Sequence, residues 1–153
     1  MTERRNPASL GLHAMSVAEI VATINRADAE VISAVAAAGP AITGFLEAVE
    51  RGFVEHGGRL VYLGAGTSGR LGVLDASEIP PTFQMPPGRV IGIIAGGDAA
   101  LRVSSESKED DPRGAVPELE ALGLTRHDAV LGIAAGGTTP YVLGALEWCA
   151  ARG

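Results

Sequence analysis

Three short apolar runs constrain this chain more than any other feature, because each one ends in a glycine turn. Arg59-Leu60-Val61-Tyr62-Leu63 leads into GAGTSG, and Arg89-Val90-Ile91-Gly92-Ile93-Ile94-Ala95 leads into Gly96-Gly97-Asp98. The third, Asp128-Ala129-Val130-Leu131-Gly132-Ile133-Ala134, leads into a glycine pair and two threonines. The runs are rich in β-branched residues and nearly continuous rather than alternating, as strands are when both faces lie buried in a parallel sheet. Helical patterns separate them. The expected fold is therefore α/β in the order βαβαβα, a parallel sheet with flanking helices in three αβα layers. A length of 153 residues suits one domain. Such a domain buries about 68–70% of its unfolded surface and needs no metal or disulfide staple.

A helical preamble precedes the first strand. Ser16-Val17-Ala18-Glu19 has the S-x-x-E form of a capping box. Ile20, Ile24, Val31 and Val35 follow at roughly helical spacing, and Gly39-Pro40 is expected to break this helix. A second helix is expected to carry Ile42, Phe45, Leu46, Val49 and Phe53 and to end at Gly57-Gly58. Residues 1–57 thus read as an N-terminal helical segment packing on the domain or on a partner subunit, and residues 58–153 as the sheet domain. The first dozen residues read as extended or mobile.

Charge and cysteine count narrow the function classes. Twelve basic against 18 acidic side chains give a net charge of −6. Nucleic acids and anionic membranes are held mainly by Lys and Arg, so neither is an expected partner. A small phosphorylated ligand stays open, because a few local N–H groups suffice for it. No apolar run is read as approaching the roughly 20 residues of a membrane span. The start, MTERRNPASL, has no apolar signal core, and the single Cys149 makes no internal disulfide, which points to the cytoplasm. His13, His56 and His127 are scattered in sequence and read as surface or packing residues, so no metal is expected. The polar run Ser104 to Asp111 reads as a solvated helix or loop.

The glycine turns carry the chemistry. Gly64-Ala65-Gly66-Thr67-Ser68-Gly69 matches G-x-G-x-x-G between a strand and a helix, where free N–H groups and the helix dipole favour an anion. A dinucleotide would need an acid about 20 positions further on. Gln84, Met85 and Arg89 stand there instead, and the first acid after the second strand is Asp98. Thr67 and Ser68 add two hydroxyls with Arg70 just behind, which suits a phosphate monoester. The same motif also serves as a strand–helix turn without a ligand, and spacing alone leaves both open. Gly136-Gly137-Thr138-Thr139-Pro140 repeats the pattern, with Thr139 as N-cap and Pro140 as first helical residue. Thr139 either only caps its helix or also meets a ligand. Both turns lie at carboxyl ends of parallel strands and face one crevice. Glu78, just before Pro80-Pro81, is expected to end a short helix near that crevice, although Glu78 and Asp75 by themselves read as surface acids.

From Leu63 to Phe83, LGAGTSGRLGVLDASEIPPTF closely resembles the signature of N-acetylmuramic acid 6-phosphate etherases, within the wider sugar isomerase (SIS) family of phosphosugar-binding, Rossmann-like domains. The likeness continues through VIGIIAGGDAAL, the acidic patch and GIAAGGTTPYVLGALE, and reaches back into TERRNPAS and MSVAEIVATINRAD. It implies a homodimeric lyase without a cofactor. Such an enzyme removes D-lactate from the C3 ether of N-acetylmuramic acid 6-phosphate and leaves N-acetylglucosamine 6-phosphate. In that chemistry the opened sugar loses its C2 proton, lactate leaves C3, and water adds to the unsaturated aldehyde. The resemblance puts the acid on Glu78 and the base on Glu109, with Glu106 the neighbouring candidate. It puts the phosphate on Gly66, Thr67, Ser68, Gly69 and Arg70, and on Gly137, Thr138 and Thr139.

Two glutamates make chemical sense for this reaction. A proton beside a carbonyl yields to a carboxylate base, whereas the lactate oxygen leaves well only when protonated, so the two groups need unequal environments. An apolar cleft beside Pro80-Pro81 would suit the acid, and the polar run around Lys108 would suit the base. Two departures stand out. Gly136-Gly137 replaces a Ser-Gly common among relatives, which removes a hydroxyl from that turn. Gln84-Met85 follows Phe83 where a glycine is usual, which reshapes the cleft rim. Relatives also continue into further strands and a C-terminal helical region. A three-stranded sheet leaves an edge and an apolar helix face uncovered, so either a partner covers them or the chain is a fragment or truncated product. The rivals are a sugar-phosphate sensor akin to the glucokinase regulators, an inactive remnant, and, last, a dinucleotide oxidoreductase.

Overall fold

Ser16 and Glu19 start the first long helix by the reciprocal bonding their spacing predicts. The Ser16 N–H donates to Glu19 Oε2 at 2.7 Å, and the Glu19 N–H donates to Ser16 Oγ at 3.3 Å. The Ser16 hydroxyl, which also donates to Glu19 Oε2 at 2.7 Å, and the Ser16 N–H together hold the Glu19 carboxyl below its usual range. The computed structural model describes residues 5–153, which group into two compact units, Met1–Glu47 and Ala48–Gly153. Helix α1 spans Val17–Glu50 and continues into a π-helical turn, Arg51–Glu55. The break expected at Gly39-Pro40 does not occur, because Pro40 lies inside the helix. An interior proline costs about 3 kcal/mol. Ala36, Ala37, Ala38 and Ala41 around it are the strongest helix formers, and the rest of the ladder carries the missing bond. Ahead of α1 the chain is turned rather than extended, with short 3-10 turns at Pro7–Ser9 and Leu12–Ala14. The Asn6 side chain accepts the Ala8 N–H at 2.9 Å and sets the first of them. Residues 1–4 lie outside the described residues.

A second correction concerns length. The continuous helical stretch Val17–Glu55 is long and apolar enough to cross a membrane by length and composition. Gly, Ser, Thr and Pro interrupt its apolar residues and hide it from a reading by uninterrupted runs. No charged side chain occurs from 31 to 46. Val17, Val21, Ile24, Val31, Ile32 and Val35 are exposed along it.

In the second unit, β1 (Leu60–Gly64), β2 (Val90–Ile94) and β3 (Ala129–Ile133) form the expected parallel sheet in the order β2-β1-β3. Val61 lies beside Ile91 and Val130, and Leu63 beside Ile93 and Gly132. Alternation sends Val61, Leu63 and Ile93 to one face, where α3 (Val116–Leu122) and α4 (Pro140–Ala150) cover them through Leu119, Tyr141, Val142 and Ala145. Burying side chains such as Leu63 and Leu119 stabilises the fold by about 1.5–3 kcal/mol each. The opposite face receives α2 (Gly66–Phe83) at close range. A Cβ on Gly69 would stand 2.6 Å from Ile94 Cγ1, and one on Gly92 would stand 2.6 Å from the Val73 Cα. These glycines let helix and strands approach, so the sheet is sandwiched in three layers.

The Pro80-Pro81 pair does not stop α2 after Glu78 either. The helix runs through both prolines to Phe83, because they fall in its last turns, where only the carbonyls of Ala76 and Ser77 lose partners. It ends at Gln84, which takes the left-handed conformation at φ 53°. That conformation costs a residue with a Cβ about 1–2 kcal/mol, partly offset by the greater unfolded-state freedom of glycine. Gln84→Gly is therefore expected to raise stability by up to about 1 kcal/mol, read as a higher urea midpoint; an unchanged or lower midpoint contradicts this account.

Candidate functional site

The sheet order creates the site. The chain passes from β1 to β2 on one side and then crosses to β3 on the other, so a topological switch point lies between β1 and β3. The turns after these neighbouring strands emerge side by side at the carboxyl edge. The first, at Ala65, feeds α2. Gly66 has φ 54°, a conformation that favours glycine, and no neighbour stands within 4 Å of where its Cβ would lie. The amides of Gly66, Thr67 and Ser68 sit in the first turn of α2 and have no intrahelical acceptor. Ala65 supplies no side-chain cap. Three N–H groups without intrahelical acceptors thus stand at the positive end of an 18-residue helix that also carries the hydroxyl residues Thr67 and Ser68, an arrangement that favours an anion.

Gly69 has a different role from the one expected. It is buried, and its N–H donates to the Ala65 carbonyl at 3.1 Å. Its amide is therefore used inside the fold, and its lack of a side chain serves helix–strand packing. Arg70 is half-buried and donates Nε to the Leu101 carbonyl at 3.2 Å, which anchors the guanidinium beside the turn.

The second turn is not a copy of the first. Thr139 is the N-cap of α4 and Pro140 its first residue, as predicted, but the Thr139 hydroxyl makes no capping bond. Pro140 has no N–H, the Tyr141 N–H donates to the Glu109 carbonyl at 3.0 Å, and the Val142 N–H donates to the Thr139 carbonyl at 3.0 Å. The first amides of α4 are thus spent within the chain. Gly137, at φ 67°, also donates its N–H, to the Ala134 carbonyl at 3.3 Å. The hydroxyls of exposed Thr138 and half-buried Thr139, with the turn amides of Gly136, Thr138 and Thr139, remain to meet an anion there.

Glu109 reaches the first turn. A cleft of about 40 Å³ is lined by Gly66, Arg70, Ala95, Ala100, Ser104, Ser105 and Glu109. The Tyr141 bond and the contact of its ring with Gly114 pin the segment that carries Glu109 against α4. A cleft of this volume takes a water or one small polar group, whereas sites for whole ligands measure about 300–1,000 Å³. The described residues therefore enclose only a small cleft here. The side chain of Glu106 lies outside the described residues. Ser104 and Ser105 are lining residues that sequence reasoning missed; they sit in the polar run read as solvated, and only the turn after β2 folds them over the crevice.

Glu78 is not brought to this cleft, contrary to expectation. Gly69 touches Gly64 at the end of β1, Gly72 touches Tyr62 in its middle, and Val73 touches Gly92 in β2, so α2 runs back down the sheet. The stretch from Gly66 to Glu78 makes about 18 Å of helix axis. Glu78 is exposed, so the apolar cleft expected around it is not built by the described residues. Asp75, read as a surface acid, lies beside Tyr62, whose hydroxyl is pushed up to about 12 by burial and by that carboxylate. Two of the histidines read as scattered come together, with the His56 and His127 rings 4.3 Å apart. Among the described residues, no three His, Cys, Asp or Glu side chains are grouped to hold a metal ion. The residues directly after β2, Ala95, Gly96 and Gly97, offer no carboxylate for a ribose.

Residues 40–150 match the family model of the glucokinase regulatory protein N-terminal SIS domain. An N-acetylmuramic acid 6-phosphate etherase of Edwardsiella ictaluri is 52% identical over all 153 residues, which make up 50% of that protein. N-acetylmuramic acid 6-phosphate etherase 2 of Vibrio parahaemolyticus is 51% identical over 153 residues, 51% of its length. The etherase of a Jannaschia species is 49% identical over 97% of this chain and 46% of its own length. The chain thus spans about half the length of the curated relatives it matches. A parallel αβα sheet with its glycine turn at the switch point, matched by the family model over residues 40–150, makes this chain a member of the SIS domain family.

Proposed function

We propose that this chain carries the phosphate turn and the base of a cytoplasmic carbon–oxygen lyase acting on N-acetylmuramic acid 6-phosphate. The observation that supports this most is Glu109 in one cleft with Gly66 and Arg70. The amides and hydroxyls of Gly66, Thr67 and Ser68 bind the phosphate, with Arg70 adding charge and Thr138 and Thr139 adding hydroxyls. The Glu109 carboxylate takes the C2 proton of the opened sugar, and the adjacent carbonyl accommodates the electron pair. D-lactate then leaves C3 as its ether oxygen takes a proton from Glu78. Water adds to C3, the proton returns to C2, and N-acetylglucosamine 6-phosphate results.

Glu78 serves this reaction from a second copy of the chain. It shares an outward stripe of α2 with exposed Leu71 and Leu74, an apolar surface that suits a subunit contact. Docking there would take the carboxyl out of water. In this reading residues 1–57 supply further apolar surface for a homodimer, and residues 58–153 form the sugar-phosphate half.

The test is D-lactate release from N-acetylmuramic acid 6-phosphate. Glu109→Gln and Glu78→Gln are each expected to lower release about 10²–10⁴-fold, and mixing the two variants is expected to restore part of it. Full release by both single variants rejects the assignment. A second reading, a non-catalytic sugar-phosphate sensor, is favoured by the position of Glu78 outside its own cleft and by the regulatory protein in the family match. Binding of the phosphosugar without lactate release, unchanged in both variants, would select it.

A further inference from the structure

We propose that the Ser105 hydroxyl binds the C1 oxygen of the opened sugar and donates to it as that oxygen gains charge. The role rests on the lyase reading of this cleft and names the group that steadies the electron pair. The segment after β2 fixes where Ser105 stands. Its carbonyl accepts the Lys108 N–H at 3.2 Å, which closes the short 3-10 turn Glu106–Lys108. A serine at that N-cap position ordinarily spends its hydroxyl on the turn, yet Ser105 makes no side-chain capping bond. Its side chain leans on Gly96 instead. A Cβ at Gly96 would stand 2.8 Å from Ser105 Oγ and 3.1 Å from the Ala100 Cβ, so a glycine there leaves room for the hydroxyl. Half-buried Ser105 thereby lines the cleft of about 40 Å³ together with Gly66, Arg70 and Glu109.

Size and chemistry select the C1 oxygen. A sugar that presents its C2 proton to Glu109 brings two polar substituents near the same carboxylate, the acetamido group on C2 and the oxygen on C1. The acetamido group, with its carbonyl and methyl, exceeds a space that suits one small polar group, whereas a single carbonyl oxygen fits it. Ala95 and Ala100 give the cleft apolar walls, which strengthen a hydrogen bond to a developing charge. The electrons balance without a further reactant. As the Glu109 carboxylate takes the C2 proton, the C–H pair becomes the C1–C2 double bond and the carbonyl pair moves onto the C1 oxygen. Ser105 donates its O–H there and keeps its proton. When lactate leaves C3, the C1 carbonyl re-forms, a double bond joins C2 to C3, and the Ser105 bond weakens again.

The experiment measures binding of two open-chain probes by calorimetry, using the full chain with Glu109→Gln so that no carboxylate repels them. 6-Phosphogluconate carries a charged oxygen at C1, and sorbitol 6-phosphate carries a neutral hydroxyl there. Adding Ser105→Ala is expected to weaken 6-phosphogluconate about tenfold more than sorbitol 6-phosphate. Ser107→Ala, exposed in the same segment and outside the cleft, is the control and should change neither. With Glu109 intact, Ser105→Ala is expected to lower kcat for lactate release about 10²-fold and to leave KM nearly unchanged, because the charge arises only in the transition state. Equal weakening of both probes, no weakening, or no binding of either probe overturns the proposal. The two readings fail separately. A selective loss of 6-phosphogluconate in a chain that releases no lactate upholds Ser105 and rejects the lyase, and full kcat in Ser105→Ala does the reverse.

Discussion

Asp128→Ala is expected to destabilise the chain by about 3–5 kcal/mol, the cost of breaking a buried ion pair. Asp128 is 3% exposed at its side chain and meets Arg59 at 2.8 Å. Its Oδ1 accepts both the backbone N–H and Nε of Arg59, while its Oδ2 accepts Arg59 Nη2 and the Thr125 N–H. Arg59 also donates to the carbonyls of Leu122 and Gly123, so this one pair ties the start of β1 to the loop that leads into β3. Removing the carboxylate leaves a half-buried guanidinium and several amides without acceptors. Against a total stability of about 5–15 kcal/mol, the loss brings the chain close to unfolding.

The same pair sets an acid limit. Burial by itself raises the Asp128 carboxyl, but the Arg59 guanidinium and the Thr125 and Arg59 amides outweigh it and hold the group well below the usual carboxylate range. Its contribution is therefore complete above the unfolded value near 3.9 and is lost as pH falls below it toward the folded value. Urea midpoints measured from pH 6 down to pH 2 should fall below about pH 4, and more steeply for the native chain than for Asp128→Ala. Equal slopes would show that the pair does not govern acid stability.

Gly144→Ala is the second large expected loss, about 3 kcal/mol. A Cβ at Gly144 would overlap the carbonyl of Pro112, which is backbone and has no rotamer to yield. The collision strikes the segment that Tyr141 pins and that carries Glu109. Both the urea midpoint and the amide shifts of Asp110, Asp111, Arg113 and Gly114 should move. Gly39→Ala is the control: nothing lies within 4 Å of its Cβ position in α1, so it should not destabilise. A Gly144→Ala protein as stable as the parent would mean that α4 does not seat against Pro112.

Particular residues divide what could be read in the sequence from what could not. The three strands were legible because a buried parallel strand imposes a local composition, and Ser16 and Glu19 announced the start of α1 because a capping box closes within four residues. The same local reasoning failed at Gly39-Pro40 and Pro80-Pro81. A proline removes one bond, and whether a helix survives depends on the rest of the ladder, which no dipeptide reveals. Glu78 failed for another reason. Its nearness to the glycine turn in sequence says nothing about direction, and α2 must run antiparallel to the strands it covers.

The sequence by itself determined a parallel α/β domain, its glycine turns and the chemical character of its first turn, since these follow from side-chain type and short-range geometry. Tertiary structure alone decided that Gly69 packs rather than binds, that the amides of α4 are already spent, and that Glu109 rather than Glu78 shares a cleft with Gly66. Each of those outcomes depends on which distant segment arrives at a given amide or carboxylate. Spacing along one chain leaves that unspecified, and the packing of α2 and α4 on opposite faces of the sheet fixes it.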